Sequence, residues 1–289
     1  MPIDVTVMAR RMRFVVVHYH IFKNAGTTVE RILKREFPGS FARLHGPSSD
    51  ATLDAEDLTS FLKDHPGVRA VTSHHLRYPA PVMRNVVVFD CCFLRHPLDR
   101  LDSLYSYSRK IDSTDPLCRS AHLLSPVEFV RQLLDRSPEQ VSNAQVTQIA
   151  NRGAFTRPAN EADLDRALQT VRNMALPGVV EMFQESMVAG EYFMRPAFPT
   201  IRLGSGPANT SRQILPGAAE REQRLIRLWG RDLHSELTRL NELDIRLTEQ
   251  TGHEIRRRLS VIPAVPDRLA EFGNRCLPDS ERSTMAAQA

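Results

Sequence analysis

Two runs of apolar residues stand out in the N-terminal third of the chain, Phe14–Val17 and Val86–Leu94. Runs with so little polar alternation are typical of strands that are buried on both faces, as in a parallel sheet. Val68–Thr72 and Val179–Val180 are weaker strand candidates. The pattern therefore predicts buried strands that are spread along most of the chain.

Stretches with apolar residues at helical spacing lie between and after these strands. They are Thr28–Phe37, Leu53–Asp64, Leu98–Arg109, a stretch that starts after Ser125, Asn160–Asn173, and Glu220–Glu254. Ser125 and Asn160 have the character of helix N-caps, and only Gly230 interrupts the last stretch. Strands that alternate with helices predict an α/β fold with a central parallel sheet flanked by helices. From Ser260 onward the periodicity is lost. We therefore expect one domain over residues 1–258 and a partly disordered C-terminal extension over residues 259–289.

The composition changes this picture little. The 289 residues are 42% hydrophobic and 25% charged, as in ordinary soluble globular proteins. A formal net charge of +4 suits an anionic ligand but is too small for a dedicated nucleic-acid binder. The apolar runs are far shorter than the roughly 18 residues that span a bilayer, and no secretory core follows the arginine-rich N-terminus. The four cysteines have no metal-ligand spacing. We expect a cytoplasmic protein without a transmembrane segment or a nucleic-acid partner.

The first strand is followed by a loop of small and polar residues, "KNAGTT". A strand, a tight loop and a helix together aim backbone N–H groups and a helix N-terminus at an anion. The ATP-binding loop places its lysine after the last glycine, whereas Lys23 precedes Gly26, so the residues that would hold Mg²⁺ are missing. Asp90 is a weak candidate for a second Mg²⁺ ligand, and a plain turn is the alternative interpretation. The candidate phosphate contacts are Lys23, Asn24, Ala25, Gly26, Thr27 and Thr28.

A second group of polar residues follows the second strong strand, in "FLRHPLDRLDSLYSY". Arg95 lies at the end of the strand, and Ser103 lies far enough along the next helix to approach the same ligand. An arginine and a serine at the carboxyl edge of a sheet can form a second phosphate pocket. Two anion sites on one sheet suit a nucleotide that is phosphorylated at two positions. The alternative is that Arg95 and Arg100 pair with nearby aspartates.

On these residues the sequence resembles the sulfotransferases that use 3′-phosphoadenosine-5′-phosphosulfate (PAPS), in particular the carbohydrate branch of heparan and chondroitin type. "HIFKNAGTTVE" is similar to the 5′-phosphosulfate loop of that family, and "FLRHPLDRLDSLY" is similar to its 3′-phosphate motif. Weaker likenesses follow in the expected order, at Asn143–Ala150, Gly178–Met187, Asn209–Arg212 and Leu240–Gln250. The departures are Phe22 for a proline, Asn24 for a threonine, His96 for an acidic or amide residue, and Thr248 for an aromatic residue.

The resemblance implies a P-loop-like three-layer fold and transfer of a sulfuryl group from PAPS to an acceptor hydroxyl. The product would be 3′,5′-adenosine bisphosphate, no metal would be required, and the protein would be a bacterial member of the family. Lys23 would lie near the bridging oxygen, Arg95 and Ser103 near the 3′-phosphate, and Asn209, Ser211 and Arg212 near phosphate or ribose. The acceptor would be a small molecule or a saccharide. Residues 53–64 and 111–142 are expected to form the walls of its binding pocket.

The general base should be a histidine or a glutamate, because a hydroxyl acceptor must lose its proton. His75 is the first choice, since "HLRY" resembles the segment that carries the base in heparan-type enzymes. His74 competes with it, because a shift of one residue along an extended segment reverses which side chain points inward. His45 is the second choice, and surface or capping roles are the alternative. Glu181 is expected to order the site.

Two other functions compete with sulfotransfer. A P-loop nucleotide kinase with a degenerate loop would bind ATP with Mg²⁺. A non-catalytic domain would bind a nucleotide or a polyanion without turnover.

Overall fold

The structure is a computed structural model that describes residues 12–48, 50–154, 156–204 and 217–276. Five strands form one sheet in the order β2-β3-β1-β4-β5, and each neighbouring pair is parallel. The strands are β1 (Arg13–Tyr19), β2 (Phe41–Arg43), β3 (Ala70–Ser73), β4 (Val86–Leu94) and β5 (Leu176–Val179). This confirms the predicted α/β fold with a central parallel sheet.

Helices connect the strands and cover the sheet. They are α1 (Gly26–Glu36), α2 (Ala55–Asp64), α3 (Pro97–Ser108), α4 (Pro116–Leu123), α5 (Pro126–Arg136), α6 (Ala144–Ala150), α7 (Glu161–Asn173), α8 (Phe183–Met194), α9 (Ala218–Trp229), α10 (Arg231–Leu240), α11 (Glu242–Leu259) and α12 (Val265–Cys276). Short 3₁₀ turns lie at Pro138–Gln140 and Val180–Met182. Across the described ranges, none of the helices combines the length and the apolar character needed to cross a bilayer.

The sheet is buried on both faces, which explains the unbroken apolar pattern of its central strand. Val15 and Val17 of β1 pack in one cluster with residues of α2, α7 and α11. Val16, between them, packs in a second cluster with residues of α1, α8 and α12. Successive side chains of a strand point to opposite faces, so β1 supplies both layers of core. The architecture therefore has three layers, and α3, α5, α9 and α10 form a further helical cluster around Trp229.

Several helix starts are set by the side chains that the sequence indicated. Ser125 accepts from the backbone N–H of Glu128, whose side chain accepts in return from the N–H of Ser125. Asn160 and Asp163 form the same reciprocal arrangement at α7. These capping boxes satisfy N–H groups that a helix start otherwise leaves without partners.

The C-terminal helices differ from the prediction in two respects. The predicted break at Gly230, which has a φ of 75°, is present, but a second break follows at the buried Asn241, so the stretch 220–254 contains parts of three helices. Regular structure also continues past Ser260, where the periodicity was expected to end. Helix α12 forms there, and Phe272 is buried in the core beneath the sheet. Residues 277–289 lie outside the described residues.

Candidate functional site

The two predicted anion motifs meet at the carboxyl edge of the sheet. Lys23 lies in the loop after β1, and Arg95 directly follows β4, the neighbouring strand. The chain runs from β1 toward β2 and β3 on one side and then crosses to β4 on the other. The crevice between β1 and β4 is thus a point where the strand order reverses, and open parallel sheets bind ligands at such points.

The loop after β1 turns sharply before it enters α1. Lys23 and Ala25 both have positive φ, at 68° and 59°. Helix α1 begins at Gly26, and among the described residues it has no side-chain cap. The N–H of Thr28 donates to the carbonyl of Ala25 at 2.9 Å, whereas within the described residues the N–H groups of Gly26 and Thr27 have no partner and remain for an acceptor from outside the helix. Thr27 is exposed and Thr28 is half-buried at this opening.

Gly26 is required by a packing contact that the sequence does not reveal. A Cβ atom at this position would lie 1.7 Å from Nε2 of His20. The ring of His20 therefore lies directly against the backbone of the loop, where only glycine leaves room. Gly26 thus permits the close approach of this histidine to the loop, as well as that of a ligand.

Asn24 has a structural role in the loop. Its side chain is buried and its Nδ2 donates to the carbonyl of Phe93 (2.8 Å) and to Oε1 of Gln145 (2.7 Å). Its backbone N–H donates to the carbonyl of Ile21 at 3.2 Å. Because all of its N–H groups donate within the protein, Asn24 has none left for the predicted phosphate contact. We therefore assign Asn24 to holding the loop in place.

Gln145 joins the two anion motifs, a role that the sequence analysis did not predict. It is fully buried on α6, and its Oε1 accepts from the N–H of Arg95 (2.9 Å) as well as from Asn24. Its Nε2 donates to the carbonyl of Arg95 (2.8 Å) and to Asp244 of α11 (3.3 Å). Asp244 also accepts from the N–H groups of Gln145 and Val146. One buried network thus fixes both loops relative to each other.

The guanidinium of Arg95 has unused hydrogen-bonding capacity. Its Nη1 donates to the carbonyl of Lys23 at 3.2 Å, which links the second motif directly to the first. Its Nε is buried and has no hydrogen-bond partner within the described ranges. No ion pair of Arg95 with an aspartate occurs there, whereas Asp99 and Asp102 pair with Arg224. Ser103 lies in the middle of α3 and is half-buried.

The ammonium of Lys23 lies among aromatic rings. Its Nζ is 3.7 Å from the ring centroid of Tyr107 and 5.6 Å from that of Phe22. In the part of the chain that the structure describes, no carboxylate pairs with it. Burial, and then the charges of Arg95 and Lys110, lower the pKa of Lys23 to about 8. A partly desolvated cation without a counter-ion favours an anionic ligand at this position.

His74 and His75 differ in the nitrogen that they leave available. Nδ1 of His74 lies 3.1 Å from the carbonyl of His20, which can only accept, so Nδ1 carries the proton and Nε2 keeps its lone pair. Nδ1 of His75 accepts from the N–H of Gly46 at 2.5 Å, so its Nε2 carries the proton. Burial is the main cause that lowers the pKa of both histidines. His74 therefore has the nitrogen that a general base requires, and His75 does not.

Three further histidines, His18, His20 and His45, lie near His74 and His75. The rings of His18 and His20 stack with centroids 5.0 Å apart, and the ring of His74 lies tilted against that of His20 with centroids 3.6 Å apart. His18 is buried and its Nδ1 lies 2.9 Å from Oγ1 of Thr72. His45 is exposed, and its ring lies 6.2 Å from that of His75.

Two acidic residues lie behind the site. Oε1 of Glu181 accepts from the backbone N–H of His96 at 3.0 Å, which fixes the chain just after Arg95. Asp90 lies in the middle of β4, opposite Val17, and accepts from the N–H of Ala175. It is therefore remote from the carboxyl edge, where a ligand to a nucleotide-bound Mg²⁺ would have to lie. Within the described residues, no group of three or more His, Cys, Asp or Glu side chains could hold a metal ion. Asn209, Ser211 and Arg212 lie outside the described residues.

Comparison with known proteins identifies a relative of this chain but no family. The chain is 27% identical over 247 residues to an uncharacterized protein of Archaeoglobus fulgidus. The similarity covers 82% of this chain and 96% of that relative. No profile of a known protein family matches the chain.

Proposed function

We propose that the protein is a sulfotransferase that moves a sulfuryl group from PAPS to an acceptor hydroxyl. The observation that carries the proposal is the junction of Lys23 and Arg95 at the edge of two neighbouring strands, with a 3.2 Å hydrogen bond between the two motifs. Their unpaired donors fit a ligand that bears two separate anionic groups: the buried Nε of Arg95, the ammonium of Lys23 and the uncapped start of α1. PAPS would supply an already activated sulfuryl group.

Each residue has a defined task under this proposal. Lys23 and the start of α1 bind the 5′ end, and the ammonium of Lys23 stabilises negative charge on the leaving oxygen. Arg95 binds the 3′-phosphate, with Ser103 beside it. His74 accepts the proton of the acceptor hydroxyl at Nε2, because its other nitrogen donates to the carbonyl of His20. His75, the first choice from the sequence, positions the chain at Gly46 instead.

Calorimetry tests the nucleotide specificity. We expect micromolar affinity for 3′,5′-adenosine bisphosphate and no binding of ATP with Mg²⁺. The reverse result would favour a kinase and would end the proposal. Binding of the bisphosphate without any transfer from PAPS to a broad panel of hydroxyl acceptors would leave a non-catalytic nucleotide-binding domain.

Single substitutions test the assigned roles. Lys23→Ala and His74→Ala should each lower the transfer rate by about 100-fold or more, in line with the loss of a charge or a base at a reacting centre. His75→Ala is the matched control and should reduce it by less than about tenfold. Full activity of Lys23→Ala would contradict the role of the lysine. A larger loss for His75→Ala than for His74→Ala would return the base to His75.

A further inference from the structure

Two exposed aromatic residues beside Lys23 have no task in the proposed reaction. Phe22 is 39% exposed in the loop after β1, and Tyr107 is 40% exposed in the last turn of α3. Neither ring is needed for the core. They contact each other edge to face, with centroids 5.7 Å apart and planes at 86°.

These rings connect the two groups that the reaction requires. Phe22 contacts the ring of His74 on one side, with centroids 6.0 Å apart, and Tyr107 lies against the ammonium of Lys23 on the other. An acceptor hydroxyl must reach His74 while the reacting centre stays near Lys23. Phe22 and Tyr107, which we call the aromatic pair, lie between these two groups and are therefore placed to contact the atoms that carry this hydroxyl.

We propose that the aromatic pair binds the acceptor and selects a hydroxyl carried on a ring with an apolar face. Aromatic side chains bind such faces through dispersion and through C–H groups directed at the π system. Phenols and pyranoses share this chemistry, whereas an acyclic polyol has no continuous apolar face. Phe22 also stands where the similar family has a proline, so this surface belongs to the present chain. The inference rests on the proposed function.

Saturation-transfer NMR with the full-length protein tests this binding without requiring turnover. The probes are phenol, methyl β-D-glucopyranoside and sorbitol, each with and without 3′,5′-adenosine bisphosphate. We expect saturation of the ring C–H protons of one or both cyclic probes and none for sorbitol. Saturation of phenol alone indicates an aromatic acceptor, and saturation of the glucoside alone indicates a saccharide. Equal saturation of sorbitol, or none of either cyclic probe, overturns the inference.

Variants of the aromatic pair locate the effect. Phe22→Ala and Tyr107→Ala should each weaken binding of the cyclic probe by about tenfold, the effect of losing an aromatic contact. Tyr107→Phe keeps the ring and should bind as the wild type does. Phe193→Ala is the matched control, because Phe193 is also 39% exposed and its ring contact is with Tyr192 of α8. Wild-type binding by both alanine variants overturns the inference, and so does equal weakening by Phe193→Ala.

The nucleotide arm separates the two proposals. If adenosine bisphosphate binds and the cyclic probes do not, the aromatic pair is not an acceptor site and the proposed function stands. If the cyclic probes bind through the aromatic pair and adenosine bisphosphate does not bind, the proposed function fails and the ring-binding surface remains. Thermal unfolding of each variant checks that the fold is retained, which we expect because both side chains are partly exposed.

Discussion

The buried amide of Gln145 gives the sharpest test of how the site is held together. Replacing it with leucine keeps the approximate size of the side chain and removes four hydrogen bonds, to Asn24, to both backbone groups of Arg95 and to Asp244. Each bond contributes about 0.5–1.5 kcal/mol to the free energy of unfolding.

The loss in the free energy of unfolding depends on whether the former partners of Gln145 keep other hydrogen bonds. Asn24 still donates to Phe93, and the carbonyl of Arg95 still accepts from Thr248 at 3.4 Å. The N–H of Arg95 loses its partner, and an unsatisfied buried donor costs about 1–3 kcal/mol. Leucine recovers part of this by burying apolar surface. We therefore expect Gln145→Leu to lower the free energy of unfolding by about 3–5 kcal/mol, within a typical total of about 5–15 kcal/mol.

Urea denaturation followed by circular dichroism measures this change, and calorimetry with adenosine bisphosphate measures its effect on the site. We expect nucleotide affinity to fall by about tenfold or more, since the two loops lose their shared support. Gln184→Leu on α8 is the control, because Gln184 is exposed and should change stability by less than about 0.5 kcal/mol. A loss below about 1 kcal/mol for Gln145→Leu, with unchanged affinity, would refute the network as the support of the site.

Three further predictions follow from single contacts. Gly26→Ala should lower the free energy of unfolding by about 2 kcal/mol, because the new Cβ would meet the ring of His20. The double variant with His20→Ala should recover most of this loss, and additive losses in the two single variants would contradict the contact. Phe272→Ala should cost about 3–5 kcal/mol by urea denaturation, since the ring is 1% exposed, and a loss near zero would mean that α12 does not pack on the core. If transfer is detected, kcat/KM should rise as the pH increases through the pKa of His74, because only the neutral imidazole can accept a proton. Burial lowers this pKa below its ordinary value of 6.5. The kcat/KM should fall above pH about 8, where Lys23 loses its charge, and Lys23→Arg should remove that upper limb; an unchanged limb would assign it to another group.

The local patterns of the sequence predicted much of the fold. The apolar runs fixed β1 and β4 to within a few residues, and the capping residues fixed the starts of α5 and α7. Strand β2 was missed because three partly exposed residues have no distinctive pattern. The extra break at Asn241 was missed because nothing local disfavours a helix there.

The candidate site was predicted only as far as its residues are contiguous in sequence. The loop at Lys23 and the motif at Arg95 each follow a recognisable strand. The choice between His74 and His75 depends instead on which nitrogen meets a backbone group, which a one-dimensional pattern does not contain. Tyr107 and Gln145 act through contacts with residues far away in the chain, so only the folded arrangement reveals their positions.

The network around Gln145 also constrains the order in which the protein can assemble. Its hydrogen bonds join residues that are 121, 50 and 99 positions apart, from Asn24 near the start of the sheet to Asp244 in a late helix. Contacts of such long range form slowly, because each one closes a long loop of chain at a cost in conformational entropy. A nascent chain that ends before α11 has the complete anion loop but lacks the carboxylate that holds Gln145. The candidate anion site therefore becomes fully organised only after α11 has been synthesised.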